Sequence, residues 1–212
     1  MVVKFSDFNE NFRSRLYDHI KEVEKVSSAE VVVIVRASSD NYRDVALWSG
    51  FVLQILVAAF MLFSPIVFSP YTICASTLLA FLLGYLLVQV IYPLKRILVS
   101  TGRKQRAVEI YARAIFQKGK IHYTREHTGL LIFVSIFERM VYLVPDVGLQ
   151  HAIPQHVWKQ IQDSFSEIFN GDNFVTEALL SRINELKRIL KDYLPVRSDD
   201  INEIPDDLKV DL

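Results

Sequence analysis

Apolar positions recur along this chain with three different rhythms. From about Ser6 to Val26, residues Phe8, Phe12, Leu16, Ile20 and Val23 return every three or four places with charged residues between them. That spacing predicts an amphipathic helix, capped by Ser6 or Asp7 with Glu10 behind. Phe5 and Phe8 are read as core rather than as a membrane-touching pair. After Ser27-Ser28 the rhythm changes. Glu30-Val-Val-Val-Ile-Val35 has no polar face, which predicts a strand covered on both sides, as in a parallel sheet. Leu130–Ile136 repeats that pattern, Phe137–Met140 turns the chain, and Val141–Val144 returns as the other arm of an antiparallel hairpin that Pro145–Gly148 ends.

Between these strands the helical period comes back. Beginning by about Gly102, Ala107, Ile110, Tyr111, Ala114 and Ile115 form a stripe, Gly119 is the expected cap, and Lys120–Thr128 is a polar loop. Pro154 suits the first position of a further helix, whose buried stripe is Val157, Trp158, Ile161, Phe165 and Ile168, stopped by Gly171. Asp172 or Asn173 caps the last helix, which turns Phe174, Ala178, Leu179, Ile183, Leu186 and Leu190 inward and ends before Pro195. Residues 196–212 are acidic and proline-interrupted and read as a disordered tail.

The third rhythm is the absence of one. Val45 to Tyr92 is 48 residues without Asp, Glu, Lys, Arg or His. A bilayer core needs about 20 apolar residues of helix, so this run supplies two crossings. Pro65 and Pro70 bracket a short middle, which predicts a hairpin with spans near Leu47–Phe63 and Tyr71–Tyr92, Pro93 ending the second. A soluble core helix would keep a polar face, and this run has none. Gln54 and Gln89 are its strongest polar groups, placed to hydrogen-bond across the hairpin or to another copy. With no intramembrane charge, a transporter or channel core is a poor reading.

Charge then orients the picture. Residues 1–44 carry seven Lys/Arg and eight Asp/Glu, and residues 93–212 carry seventeen and sixteen, so two nearly neutral water-soluble blocks flank the insert. A hairpin returns the chain to the side it left, which puts both blocks in one compartment. Arg43 precedes the first span, and Lys95, Arg96, Arg103, Lys104 and Arg106 follow the second before any acid, whereas Ser64–Pro70 is uncharged. Positive charge marks the cytoplasmic end of a span. The expectation is a multi-pass plasma-membrane (inner-membrane) protein with its soluble domain and both termini cytoplasmic. No cleavable signal is visible at the N-terminus, the single Cys74 excludes an intramolecular disulfide framework, and zero formal charge gives no nucleic-acid footprint. The domains expected are therefore one split soluble domain from 1–44 and 93–195, a transmembrane hairpin at 45–92, and the tail at 196–212. The helix between the first two strands predicts a right-handed parallel crossover that contains the hairpin.

Several stretches in this order resemble the TPM domain family, named for a chloroplast thylakoid-lumen protein, a photosystem II repair factor and a nematode acetylcholine-receptor modulator. They are Ser28-Ala-Glu-Val-Val-Val-Ile34, Thr128–Arg139, Val141-Tyr-Leu-Val-Pro-Asp-Val-Gly-Leu149, Ile153-Pro154, Trp158 and Phe169-Asn-Gly171. The resemblance implies an α/β fold, a small sheet flanked by helices, here interrupted by a two-helix transmembrane hairpin. It also implies calcium binding, with acid-phosphatase activity in some members. The family pattern has an acid in Asp-Asn-Gly before the second strand and a Glu after the Gly-Leu. This chain has His127-Thr128-Gly129 with Glu126 one place earlier, and Leu149-Gln150. Asp146 is an acid the usual pattern lacks.

Candidate chemistry is accordingly sparse. Glu126, His127 and Asp146 flank the paired strands and are the candidate metal ligands, with calcium as the candidate ion; solvated loop residues are the plainer account. His122 with His127, and His151 with His156, are five apart, which is no zinc pattern. Glu138-Arg139 reads as a turn ion pair. Ser135 lies within a strand rather than at a strained elbow, and the seven glycines form no phosphate loop. Two functions fit. The favoured one is a non-enzymatic, membrane-tethered accessory, scaffold or partner-binding module, anchored in the lipid bilayer through residues 45–92 and working on a membrane-protein partner. The alternative is a calcium-dependent phosphatase-like hydrolase.

Overall fold

The computed structural model describes residues 7–170, 174–196, 204 and 210–211. Chain contacts divide it into two units, Met1–Ser39 with Gln105–Leu212, and Asp40–Lys104. The first unit is a mixed α/β layer structure. It holds α1 (Glu10–Glu24), β1 (Glu30–Arg36), most of α5 (Thr101–Lys118), β2 (Gly129–Ser135), β3 (Met140–Pro145), α6 (Val147–Ala152), α7 (Gln155–Ser166) with a 3-10 turn after it, α8 (Val175–Tyr193) and the two-residue β4 (Val210–Asp211).

The strand order is β3-β2-β1-β4. β1 and β2 run parallel from Glu30↔Gly129 to Arg36↔Ser135, and β2 and β3 antiparallel from Leu130↔Pro145 to Ser135↔Met140. The unbroken apolar runs follow from burial of both faces. Val31, Val33, Val35, Leu130, Ile132 and Val134 pack with α1, α7 and α8, while Val32, Ile34, Leu131 and Phe133 pack under Val108, Ala112 and Phe116 of α5.

Several boundaries differ from the sequence expectations, each for a local reason. Asn9, not Asp7, caps α1, its Oδ1 accepting the Phe12 N–H at 3.0 Å. The stripe of α5 is the narrow row Val108, Ala112, Phe116; Ile110 is turned out to solvent. Gly119 does not adopt the left-handed conformation that ends α5. Lys120 does, at φ 56, while Ile121 N–H reaches Phe116 O and Lys120 N–H reaches Gln117 O, a Schellman ending. Pro154 precedes α7 as its cap residue rather than opening it. α6 is an element the periodicity missed, being only six residues long. Phe174 is exposed instead of inward. Ser6 and Phe5, Gly171, Asp172 and Asn173, and most of 196–212 lie outside the described residues. Within that last stretch Val210–Asp211 pair parallel to Val33 and Ile34.

The second unit contains α2 (Arg43–Phe63), α3 (Pro70–Val90), α4 (Tyr92–Leu98) and the start of α5. α2 and α3 are both long and apolar enough to cross a membrane, and most of their large apolar side chains are exposed. They cross at glycines. A Cβ on Gly84 would lie 2.9 Å from Ser49 O and 3.1 Å from Gly50 Cα; one on Gly50 would lie 2.8 Å from Phe81 O. Both belong to Ala-x-x-x-Gly repeats, Ala46/Gly50 and Ala80/Gly84, all four buried, the small-residue seam that lets membrane helices approach. Gln89 Oε1 is buried with no hydrogen-bond partner, so the crossing, not an amide bridge from Gln89, joins the pair. Pro70 starts α3 and Pro93 starts α4, each in the first turn where a proline loses nothing. The chain beyond Ile91 thus continues as a short helix instead of simply stopping. Below the hairpin Arg103 donates to Asp44 Oδ1 at 2.8 Å and to Asp40 at 3.3 Å, and stacks over Tyr42. Lys95 Nζ donates to Asn41 O.

Candidate functional site

Three features of the sheet unit hold polar chemistry. The first is the end of the sheet where β1 and β2 begin and β3 finishes. There Thr124 Oγ1 accepts the Thr128 N–H, and His127 takes the left-handed conformation at φ 56. Asp146 caps α6: its Oδ1 accepts the Val147 N–H at 2.8 Å, and its Oδ2 lies 3.2 Å from His127 Nδ1. Gly148 is required by space, because a Cβ there would sit 2.2 Å from Glu126 O. The loop is therefore clamped to α6 through backbone, with Gly148 N–H donating to His127 O.

The three residues singled out from sequence meet only in part. His127 and Asp146 are brought together, whereas Glu126 is exposed, with its carbonyl oxygen lying against Gly148 of α6. Among the described residues no three His, Cys, Asp or Glu side chains are grouped to hold a metal ion. Calcium takes six to eight oxygen ligands; one carboxylate with both oxygens engaged and one imidazole do not make that set. His122 is not paired with His127 but stacks on Tyr123 at 4.3 Å between ring centroids.

The second feature closes the opposite end of the sheet. Glu138, expected as half of a surface ion pair, is 4% exposed and turned inward. Its Oε2 accepts the Ser135 hydroxyl, and its Oε1 accepts from Ser39 N–H at 3.0 Å and Ser38 Oγ at 3.3 Å. Ser39 Oγ lies 2.9 Å from Ser135 Oγ. Ser135 is fully buried, so the cluster is no nucleophile but a clamp on the segment through which the chain leaves β1.

The third feature was not legible as a motif. An open cleft of about 1170 Å³ runs along the outer edge of β3, walled by α5 through Arg113, Phe116 and Gln117 and by α7 through Trp158 and Lys159. Arg113 is held above the usual guanidinium range by its hydrogen bond to Tyr142 and by Glu109, 2.9 Å away. Only the strand order puts this edge there. A local signal existed, in that Met140–Val144 carries no charge although it ends the sheet.

Comparison with known proteins agrees with this architecture. Residues 95–189 match the family model described as TPM domain. The solved structure of BA42 protein from the psychrophilic bacterium Bizionia argentinensis, determined by NMR, is similar over 98% of this chain and 98% of its own, at 17% identity and a TM-score of 0.59, a likeness of fold. No curated protein matches the chain.

Proposed function

We propose that this chain, whose residues 95–189 match the family model described as TPM domain, is a membrane-tethered partner-binding module of that family. The observation that carries the proposal is the apolar hairpin. Two 21-residue helices leave Trp48, Phe60, Phe63, Leu79 and Val90 among many exposed apolar side chains. Monomeric soluble proteins rarely expose apolar patches beyond a few hundred Å², and a bilayer is the solvent that removes this one from water. In this reading residues 45–92 anchor the chain in the plasma membrane. The sheet unit and both termini lie on the cytoplasmic side, and a membrane protein is the partner. The bare turn at Ser64–Ser69 faces outward, and Lys95, Arg96 and Arg103 sit on the cytoplasmic side.

The test is cysteine accessibility in intact cells and inside-out vesicles. With Cys74 replaced by serine, Val67→Cys in the turn should react with an impermeant maleimide from outside. A cysteine at Tyr123, exposed in the sheet unit, should react only from inside. Extraction of the chain by alkaline carbonate, or labelling of both positions from one face, would sink the reading.

The alternative, a calcium-dependent phosphatase-like hydrolase using Glu126, His127 and Asp146, draws on the contact between Asp146 and His127. It predicts calcium-stimulated hydrolysis of p-nitrophenyl phosphate that Asp146→Asn abolishes; equal rates with calcium and with chelator dismiss it.

A further inference from the structure

We infer that α4 is an interfacial helix and that, with the basic residues gathered around it, it binds the headgroups of anionic phospholipids. The inference rests on the membrane-tethering reading above and names the lipid class held at the foot of the hairpin, where α2 begins and α3 ends. It does not depend on which face of the membrane that foot occupies.

The argument begins with where the charges of the hairpin unit lie. Between residues 40 and 104 the charged residues are Asp40, Arg43, Asp44, Lys95, Arg96, Arg103 and Lys104, five cations against two acids. Each lies in or before the first turn of α2, or beyond the end of α3, so the whole surplus of positive charge collects at one end of the pair. Both acids are engaged by one and the same cation, Arg103, which donates to Asp44 Oδ1 at 2.8 Å and to Asp40 Oδ2 at 3.3 Å. The surplus therefore belongs to the other four. Lys95 is held in place by a neutral group: its Nζ donates to Asn41 O at 2.8 Å, which fixes the ammonium at the foot without cancelling its charge. Basic clusters immediately beside a membrane span are the signature of anionic-lipid recognition.

The shape of α4 fits the same layer. Ile91 leaves helical geometry at φ −89, ψ 90, so α4 restarts on its own course instead of extending α3. Its seven residues mix two chemistries: Tyr92, Ile97 and Leu98 are exposed, Ile97 at 78%, and Lys95 and Arg96 occupy its last turn. In a headgroup layer such apolar side chains reach the acyl boundary, while Lys and Arg extend their charged ends to phosphate. Trp48, exposed early in α2, and Tyr92 stand at this same end, the level at which amphipathic aromatic rings settle. What covers α4 is set by continuity. It begins one residue after α3 ends, and the headgroup layer is the first thing a chain meets on leaving the hydrocarbon core. Charge then selects an anionic headgroup over a zwitterionic one.

The experiment reconstitutes the full chain in a Trp158→Phe background, where Trp48 is the sole tryptophan. Its fluorescence is quenched with brominated phosphatidylglycerol or brominated phosphatidylcholine, and the relative association constant is read from the quenching curves. One cation held near an anionic surface favours association about fivefold, so phosphatidylglycerol should be preferred by that factor or more at low salt. The preference should fall in high salt, and Lys95→Gln with Arg96→Gln should abolish it. Two further variants guard against misreading. Lys95→Arg with Arg96→Lys keeps the charges and should keep the preference; losing it there would make the effect one of packing and overturn the inference. Lys118→Gln with Lys191→Gln removes two exposed lysines of the sheet unit and should change nothing. An equal loss in that variant would assign the effect to the charge of the whole chain, and the inference would fall. Equal quenching by the two lipids in the parent chain overturns it while leaving the tethering intact, since Trp48 still meets acyl chains. Quenching by neither lipid would remove the tethering itself, and the inference with it.

Discussion

At the scale of single residues, the firmest constraint is a carboxylate. Glu138 is buried and accepts from two hydroxyls and a backbone N–H, on the segment that leaves β1 and on the hairpin between β2 and β3. Glu138→Ala leaves the Ser39 N–H and the Ser135 hydroxyl without an acceptor, where no water reaches Ser135. Each stranded buried donor costs about 1–3 kcal/mol, so the variant should lose about 2–4 kcal/mol of unfolding free energy in a urea titration. Glu138→Gln keeps an acceptor and should lose less. Equal losses in the two variants would mean that the hydroxyl network does not hold the loop. This residue also marks the limit of reading from sequence. Glu138-Arg139 at a hairpin tip looks like a solvated ion pair, and only the pairing of β1 beside β2 shows that Ser38 and Ser39 arrive at the same point. Asp146 and His127 were legible as neighbours of the strand ends. Glu126 was not separable from them in the sequence, although in the fold it is exposed and its carbonyl oxygen lies against Gly148.

At the scale of elements, α1 and α8 are tied on their exposed faces by two charge pairs. Glu22 accepts from Lys187 at 2.9 Å, and Glu177 takes a bidentate contact from Arg15 at 2.6 and 2.9 Å. The hydrogen bond from each cation, then its charge, holds each carboxyl below its ordinary 4.5. With a folded value below the unfolded one, the unfolded chain binds more protons. The pairs therefore stabilise above about 4.5 and lose their effect as pH falls through the lower folded values. Glu22→Gln with Glu177→Gln should lower the melting midpoint slightly at pH 7 and low salt. That gap should close as pH drops below 4.5 and shrink in high salt, since the groups are exposed; a gap that widens in acid would contradict the pairing. The hairpin supplies a second test. Gly84→Leu forces α2 and α3 apart at Ser49 O, and overpacking of this kind costs about 1–3 kcal/mol. In a Trp158→Phe background, Trp48 fluorescence followed through an SDS titration should show the earlier separation; an unchanged midpoint would remove the glycine seam from the account. Strands and long amphipathic helices were readable here because burial repeats with their period. α4 and α6, at seven and six residues, are too short to show one. The caps at Asn9 and Lys120 depended on which polar side chain or backbone reached first.

At the scale of the whole chain, the question is whether a fold interrupted after its first strand still contains everything it needs. The resemblance of the strand sequences to one family, and the long uncharged run, lead from sequence to the expectation of a split domain. What sequence could not say is which residues the sheet borrows from the insert. Neither of the two buried clusters that sandwich the sheet, one from Phe8 to Leu194 and one from Val32 to Ile204, includes a residue between 40 and 104. The hydrophobic effect that drives the sheet unit together is therefore supplied by residues 7–39 and 105 onward. Replacing residues 40–100 by a short Gly/Ser linker, with α5 kept from Thr101, should yield a water-soluble protein that melts in one cooperative transition. The Glu138 clamp still closes, since Ser38 and Ser39 are retained. The full chain in nanodiscs should melt at a midpoint within about 5 °C of the excised form, a difference of roughly 1 kcal/mol for a domain of this size. If the excised protein instead collapses without cooperativity, binding a dye that reports exposed apolar surface, then the hairpin helps the sheet to form as well as anchoring it. The chain would have to be regarded as one folding unit that assembles only at a membrane.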